Sequence, residues 1–155
     1  LAKEEAEREA AQKAASAAIK KSQKSESKSD ASVQIGNGGG SSSGNAVAGF
    51  ASQFVGNPYV YGGTSLTNGA DCSGFVMSVY ANFGVGLPHS SSALRSVGYG
   101  VSLADAQPGD IICYSGHVAI YVGNNTIVHA STASTGIKFT SPVNYKNVLA
   151  VRRIF

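Results

Sequence analysis

The chain has 155 residues, 43% of them hydrophobic, and a formal net charge of +3, a composition ordinary for a globular protein. Seven basic residues face six acidic ones in 1–45 (+1) and five face three in 46–155 (+2). The basic residues are scattered, whereas a nucleic-acid surface clusters them, so nucleic-acid binding is not expected. No apolar run approaches the ~18–20 residues of a membrane span, so stable membrane insertion is not expected either.

Residues 1–45 hold thirteen charges and none of the thirteen aromatics, so the core must lie in the remaining 110 residues, enough to bury one. Residues 1–24 are mostly strong helix formers, with Ala2, Ala6, Ala10, Ala14 and Ala18 spaced by four. Glu4–Arg8 and Glu9–Lys13 are i,i+4 ion pairs, and together these features predict a helical, coiled-coil-like tail. Residues 25–45 shift to Ser and Lys and then to GNGGGSSSGN, the composition of a flexible linker, which sets the domain boundary near Asn45. Leu1 follows no Met, secretory h-region or cleavage site, which reads as a piece of a longer protein.

From Ala46 the pattern is globular. Val47, Phe50, Ala51 and Phe54 fall at i, i+3, i+4 and i+7, a short amphipathic helix stopping near Gly56-Asn57-Pro58. Tyr59 to Gly63 is extended. Asp71 precedes a second helix with Phe75, Val76, Val79, Tyr80 and Phe83 on one face, ending at Gly84. A Ser-rich loop covers 89–92, and Gln107-Pro108-Gly109-Asp110 is turn chemistry. Runs 111–115, 117–122, 126–131 and 148–154 read as strands, giving an α+β arrangement with a helical front half packed on an antiparallel sheet.

Cys72 stands at the first turn of its helix, where the partial positive charge favours a thiolate and the backbone N–H groups can hold an oxyanion. Ser73-Gly74 keep the turn small beside the sulfur and leave room for a ligand. The segments around His117 and His129 form two strands joined at Gly123-Asn124-Asn125. With a two-residue loop His129 pairs with Ile120 and lies on the face opposite His117. With a three-residue loop it pairs with Ala119, and the histidines become diagonal neighbours on one face. Chemistry that uses both imidazoles needs the odd loop; the sequence permits either. The H-x11-H spacing matches no metal motif, so no metal and no cofactor is expected. Cys113 reads as core.

Asp71-Cys72-Ser73-Gly74-Phe75-Val76, Gln107-Pro108-Gly109-Asp110, Gly116-His117-Val118-Ala119-Ile120-Tyr121-Val122-Gly123 and Val128-His129-Ala130 together resemble the successive blocks of the NlpC/P60 peptidases. Pro58-Tyr59-Val60-Tyr61-Gly62-Gly63 and Val151-Arg152-Arg153-Ile154 fit as well. The resemblance covers about residues 46–155 and leaves the tail and linker outside.

It implies a papain-like fold and a secreted cysteine endopeptidase acting at the bacterial cell wall on peptidoglycan stem peptides. The bond it implies joins the side-chain carboxyl of D-glutamate to the following diamino acid. Residue by residue, Cys72 matches the nucleophile, His117 the general base and acid, and His129 the orienting third residue. Tyr59 matches an oxyanion helper, and Asp71 and Ser73 match positions near the substrate's amino end. The stretch Leu87-Pro88-His89-Ser90-Ser91-Ser92-Ala93-Leu94 departs from the family's Leu-Pro-Arg-Thr-Ser-x-x-Gln, and Tyr61 replaces a frequent Trp. Tyr61, His89, Ser90 and Ser91 are therefore expected to border the cleft and set substrate preference. A monomeric catalytic domain is expected. The rival readings are an N-acetylmuramoyl-L-alanine amidase, a non-catalytic wall-binding module and an acyltransferase.

Overall fold

The computed structural model describes residues 41–155. The helical tail expected over 1–24 and the linker up to residue 40 lie outside the described residues. Two helices, α1 (Ser42–Ser52) and α2 (Cys72–Ala81), precede most of the strands. Strands β1 (Thr64–Ser65) and β2 (Gly69–Ala70) make a small hairpin between the helices. Strands β3 (Tyr99–Gly100), β4 (Ile111–Tyr114), β5 (His117–Gly123), β6 (Thr126–Thr132), β7 (Gly136–Thr140) and β8 (Val148–Arg153) form one antiparallel sheet in the order β3-β8-β4-β5-β6-β7. This is the α+β arrangement expected. None of the described helices is long and apolar enough to cross a membrane.

Helix α1 begins earlier than composition suggests. Ser41 caps it, its hydroxyl accepting from Gly44 N–H at 3.0 Å, the chemistry an N-cap requires. A side chain at Gly44 would put Cβ 2.4 Å from the Pro108 carbonyl oxygen. Ser42 to Asn45, read as linker, are thus helix held against the 107–110 turn. Polar small residues look alike in a linker and in a capped first turn.

Both helices pack on one face of the sheet. Val47, Phe50 and Phe54 from α1 join Phe75, Val76 and Val79 from α2 over Val118, Ile120, Val128 and Ala130. Each of the valine, isoleucine and phenylalanine side chains contributes about 1.5–3 kcal/mol by leaving water. The opposite face holds a smaller cluster of Ile112, Tyr114, Ala119, Ile127, Val143 and Val151. Cys113 is fully buried in the helix-side core, and burial raises its thiol to about 11. Leu94, the end of the stretch that departs from the family's pattern, is also fully buried there.

The 107–110 turn and the closing Arg-Arg pair meet. Arg153 donates Nε–H to Asp110 Oδ1 at 2.9 Å and a terminal N–H to Oδ2 at 2.8 Å. Oδ2 also accepts from Gln107 N–H at 2.9 Å, so the carboxylate folds its own turn while gripping β8. Tyr80 donates its hydroxyl to the Gly109 carbonyl, which ties α2 to the same turn. Removing one partner of a buried pair strands the other charge. Arg153→Met is therefore expected to cost about 3 kcal/mol, read as a lowered urea midpoint, and Asp110→Leu in the same chain should recover part of it. A loss below about 1 kcal/mol would show that the pair is not a constraint on the fold.

Candidate active site

The hairpin between the two histidines decides whether they meet. Asn124 and Asn125 both have positive φ, 53° and 61°, the signature of a tight two-residue turn that Asn tolerates. Gly123 accordingly pairs with Thr126. The register then shifts by one residue between Gly123 and Tyr121, so that Tyr121 faces Ile127 and Ile120 faces Val128. Continued, this sets Ala119 opposite His129. The loop is even, and a β-bulge at Val122 supplies the odd residue. The register that chemistry requires is reached by a route different from the three-residue loop considered above.

His117 and His129 consequently share a face, with ring centroids 4.9 Å apart and Nε2 of His117 2.7 Å from Nδ1 of His129. His129 Nε2 lies 2.7 Å from Thr140 Oγ1 on β7. Both imidazoles are buried, His129 to 1% exposure. Burial holds His117 down to about 4, helped by the Lys146 charge. It holds His129 down to about 3, helped by the field of His117 and of Lys138 and Lys146. Two neutral rings therefore sit at the site near pH 7. With Nε2 of His117 engaged, Nδ1 is the nitrogen left for another group.

Cys72 is the first residue of α2, capped by Asp71. The β5–β6 pairs stop at Ile120 and Val128, short of the histidines. Beyond that point the Val118 N–H is near enough to the Cys72 sulfur to favour its thiolate. Val118 is the chain neighbour of His117, so the thiol lies beside the strand that carries that imidazole. Its place at a helix start does not make Cys72 a resting thiolate. Burial is the largest influence and raises the Cys72 thiol, and the Asp71 charge raises it further. The N–H groups of Val118, Ser73 and Cys72 itself act in the opposite direction and are outweighed.

Asp71 is a hub. Oδ1 accepts from Gly74 N–H at 2.8 Å and from His89 Nε2–H at 2.8 Å, and Oδ2 accepts from Gly62 N–H at 2.9 Å. Burial works to raise this carboxyl, but the His89, Gly74 and Gly62 hydrogen bonds prevail and lower it. The Ser73 hydroxyl also turns to Asp71 Oδ1, at 3.5 Å. Gly74 leaves space for backbone rather than for a ligand: a Cβ there would stand 2.1 Å from the Gly63 carbonyl oxygen.

The remaining expected rim residues divide. His89 is drawn to the start of α2 by Asp71. Tyr61 stands 89% exposed on the neighbouring turn, free to meet a ligand. Ser90 spends its hydroxyl in a local turn with Ser92 and Ala93 N–H, and Ser91 is half-buried on the same loop. Tyr59 is held by backbone pairing of its segment with Ala70. Burial and then the charges on Cys72, Asp71 and Tyr61 raise its hydroxyl, so it stays a donor.

Tyr145 was not singled out by the sequence. Its ring lies 5.4 Å from that of Tyr114 and 5.8 Å from that of His129, and Lys146 Nζ sits 5.8 Å from its centroid. Burial and then the Cys72 charge raise its hydroxyl. It comes from an irregular segment between β7 and β8 with no periodic pattern to mark it. An acyl-transfer site requires a thiol, a neutral base whose second nitrogen is fixed, N–H groups at a helix start and nearby hydroxyl donors. All are present here.

Comparison with known proteins agrees with this geometry. The NlpC/P60 family model matches residues 56–153. A probable endopeptidase of Mycobacterium tuberculosis is 42% identical over 87 residues, which is 54% of this chain and 22% of that protein. The gamma-D-glutamyl-L-lysine dipeptidyl-peptidase of Bacillus subtilis is 33% identical over 113 residues, 66% of this chain and 38% of the relative. The chain thus spans well under half the length of these curated relatives. The solved NlpC/p60 domain of the peptidoglycan hydrolase SagA superposes with a TM-score of 0.65 at 30% identity, covering 72% of this chain and 98% of that domain. The match spans both the cysteine helix and the histidine hairpin, and the chain belongs to the NlpC/P60 family.

Proposed function

We propose that the protein is a cysteine endopeptidase that hydrolyses peptidoglycan stem peptides, with Cys72 as nucleophile, His117 as general base and acid, and His129 as its orienting partner. The observation that carries this reading is the 2.7 Å bond between His117 Nε2 and His129 Nδ1, set beside a helix-start cysteine whose sulfur is near the Val118 N–H. Family membership supports peptide hydrolysis. The names of its relatives, a peptidoglycan hydrolase and a γ-D-glutamyl-L-lysine peptidase, favour the bond between D-glutamate and the following diamino acid. Such a substrate places the enzyme outside the cell, at the wall, and the mild positive charge of the chain suits an anionic polymer.

In the reaction the Cys72 proton passes to His117 Nδ1 as the sulfur attacks the amide carbon. Thiolate and imidazolium arise together, and their mutual attraction at low local dielectric offsets part of the cost of charging two buried groups. The Cys72 N–H and the Tyr59 hydroxyl hold the oxyanion. His117 then protonates the leaving amine, and a water activated by the same imidazole releases the acyl group from sulfur.

Digestion of defined muropeptides with mass-spectrometric identification of the fragments tests this directly. Cys72→Ala should fall to background, and His129→Ala should lower kcat roughly 10²-fold while leaving measurable turnover. New termini at the lactyl–L-alanine bond instead would favour an amidase. Fragments released by Cys72→Ala at the wild-type rate would sink the mechanism.

The neutral histidines also set a pH dependence. In the unfolded chain His titrates near ~6.5, whereas the folded values are about 4 for His117 and about 3 for His129. Between these limits the unfolded state binds protons that the folded state refuses, so stability falls as pH drops below ~6.5. The urea midpoint should decline steadily from pH 7 to pH 4.5, and less steeply in His129→Asn. A flat midpoint over that range would mean that the imidazoles are not held neutral by the fold.

A further inference from the structure

Thr140 has no part in the reaction described above, yet its Oγ1 lies as close to His129 as His129 lies to His117, 2.7 Å in each case. We infer that Thr140 is a positioning residue: its hydroxyl accepts the Nε2–H of His129 and so fixes both imidazoles in the tautomers that leave His117 Nδ1 bare for the Cys72 proton. The inference rests on the proposed roles of Cys72, His117 and His129.

Register puts the three residues in a row. His129 pairs with Lys138 and Ile127 pairs with Thr140 across β6 and β7, so Thr140 lies diagonally from His129 on the same face. His117 lies diagonally from it on the other side. The chain of two hydrogen bonds can run in only two directions. In one, His117 donates Nε2–H to His129 Nδ1, His129 donates Nε2–H to Thr140, and His117 Nδ1 carries a lone pair. In the other, Thr140 donates to His129 Nε2, His129 Nδ1–H donates to His117 Nε2, and His117 Nδ1 already bears a proton. The second direction cannot take a proton from sulfur.

Charge makes the choice stricter. Once His117 has accepted the proton, both its nitrogens are donors, so His129 Nδ1 must accept and its Nε2 must carry hydrogen. That N–H is buried with the ring, which is 1% exposed, and needs an acceptor. The Thr140 oxygen is placed to be one. A valine of the same shape would leave the N–H unsatisfied in the charged state above all, and so would weigh on the chemical step rather than on binding.

The test compares the full chain as wild type, Thr140→Val and Thr140→Ser. Long-range proton–nitrogen NMR of the resting protein near pH 7 reads the tautomer of each ring, and steady-state kinetics on one defined muropeptide read turnover. Wild type and Thr140→Ser should show hydrogen on His129 Nε2 and a bare Nδ1. In Thr140→Val that preference should be lost, with kcat down roughly ten- to hundred-fold and KM within about twofold. Thr140→Ser should stay within about threefold of wild-type kcat. Hydrogen on His129 Nδ1 in the wild type, wild-type kcat in Thr140→Val, a serine variant as slow as the valine one, or a slow valine variant with an unchanged tautomer would each overturn the inference. The tautomers are read without turnover, so an active Cys72→Ala protein would defeat the nucleophile assignment and leave this measurement standing.

Discussion

Side chains on a strand alternate between faces, so histidines on neighbouring strands meet only if the register between them has the right parity. In this hairpin the parity comes from a single extra residue at Val122. The tight Asn124-Asn125 turn by itself would set His117 and His129 on opposite faces of the sheet. The bulge reverses that and brings the rings into contact. Bulges also strengthen local twist, and past Ile120 and Val128 the two strands no longer pair. The N-terminus of α2 lies near that opening, where the Val118 N–H favours a thiolate at Cys72.

Around this arrangement, carboxylates hold loops together. Asp110 ties the turn before β4 to β8 through Arg153, and Asp71 ties the turn before β1 and the His89 loop to the helix that carries Cys72. Each accepts several donors and is largely shielded from water, a state an ionised carboxylate sustains only when fully hydrogen-bonded. Close backbone approaches complete the frame: Gly63 carbonyl against Gly74, and Gly44 against the 108–109 turn. The sulfur is thus positioned by groups that need take no part in any reaction.

Much of this was visible in the sequence. Periodicity located both helices and the central strands, and a cap residue followed by Cys72 marked the start of α2. What escaped did so for physical reasons. Strand β7 alternates poorly, with Lys138 and Phe139 both exposed, so neither it nor Thr140 stood out. Tyr145 reaches the histidines from an irregular segment, where side-chain direction has no period. Leu94 follows a Ser-rich stretch that reads as loop, yet it fills the core. The bulge at Val122 leaves no local mark, because valine is ordinary in any strand; only the need for the histidines to meet hints at it.

The sequence misled most about charge. A helix N-terminus favours a thiolate by at most ~2 kcal/mol, and here it competes with burial and with the Asp71 carboxylate that the same helix uses as its cap. On the other side Lys146 and Lys138 disfavour an imidazolium. The fixed charges thus oppose the ion pair at both ends, and the resting site holds a neutral thiol beside neutral rings. A neutral thiol is a poor nucleophile and resists adventitious oxidation. In the proposed reaction the charges need exist only while a peptide carbonyl is present to take up the sulfur's electrons. At that moment the N–H groups at the start of α2 face the developing negative charge, and the hydrogen-bonded row behind His117 faces the positive one.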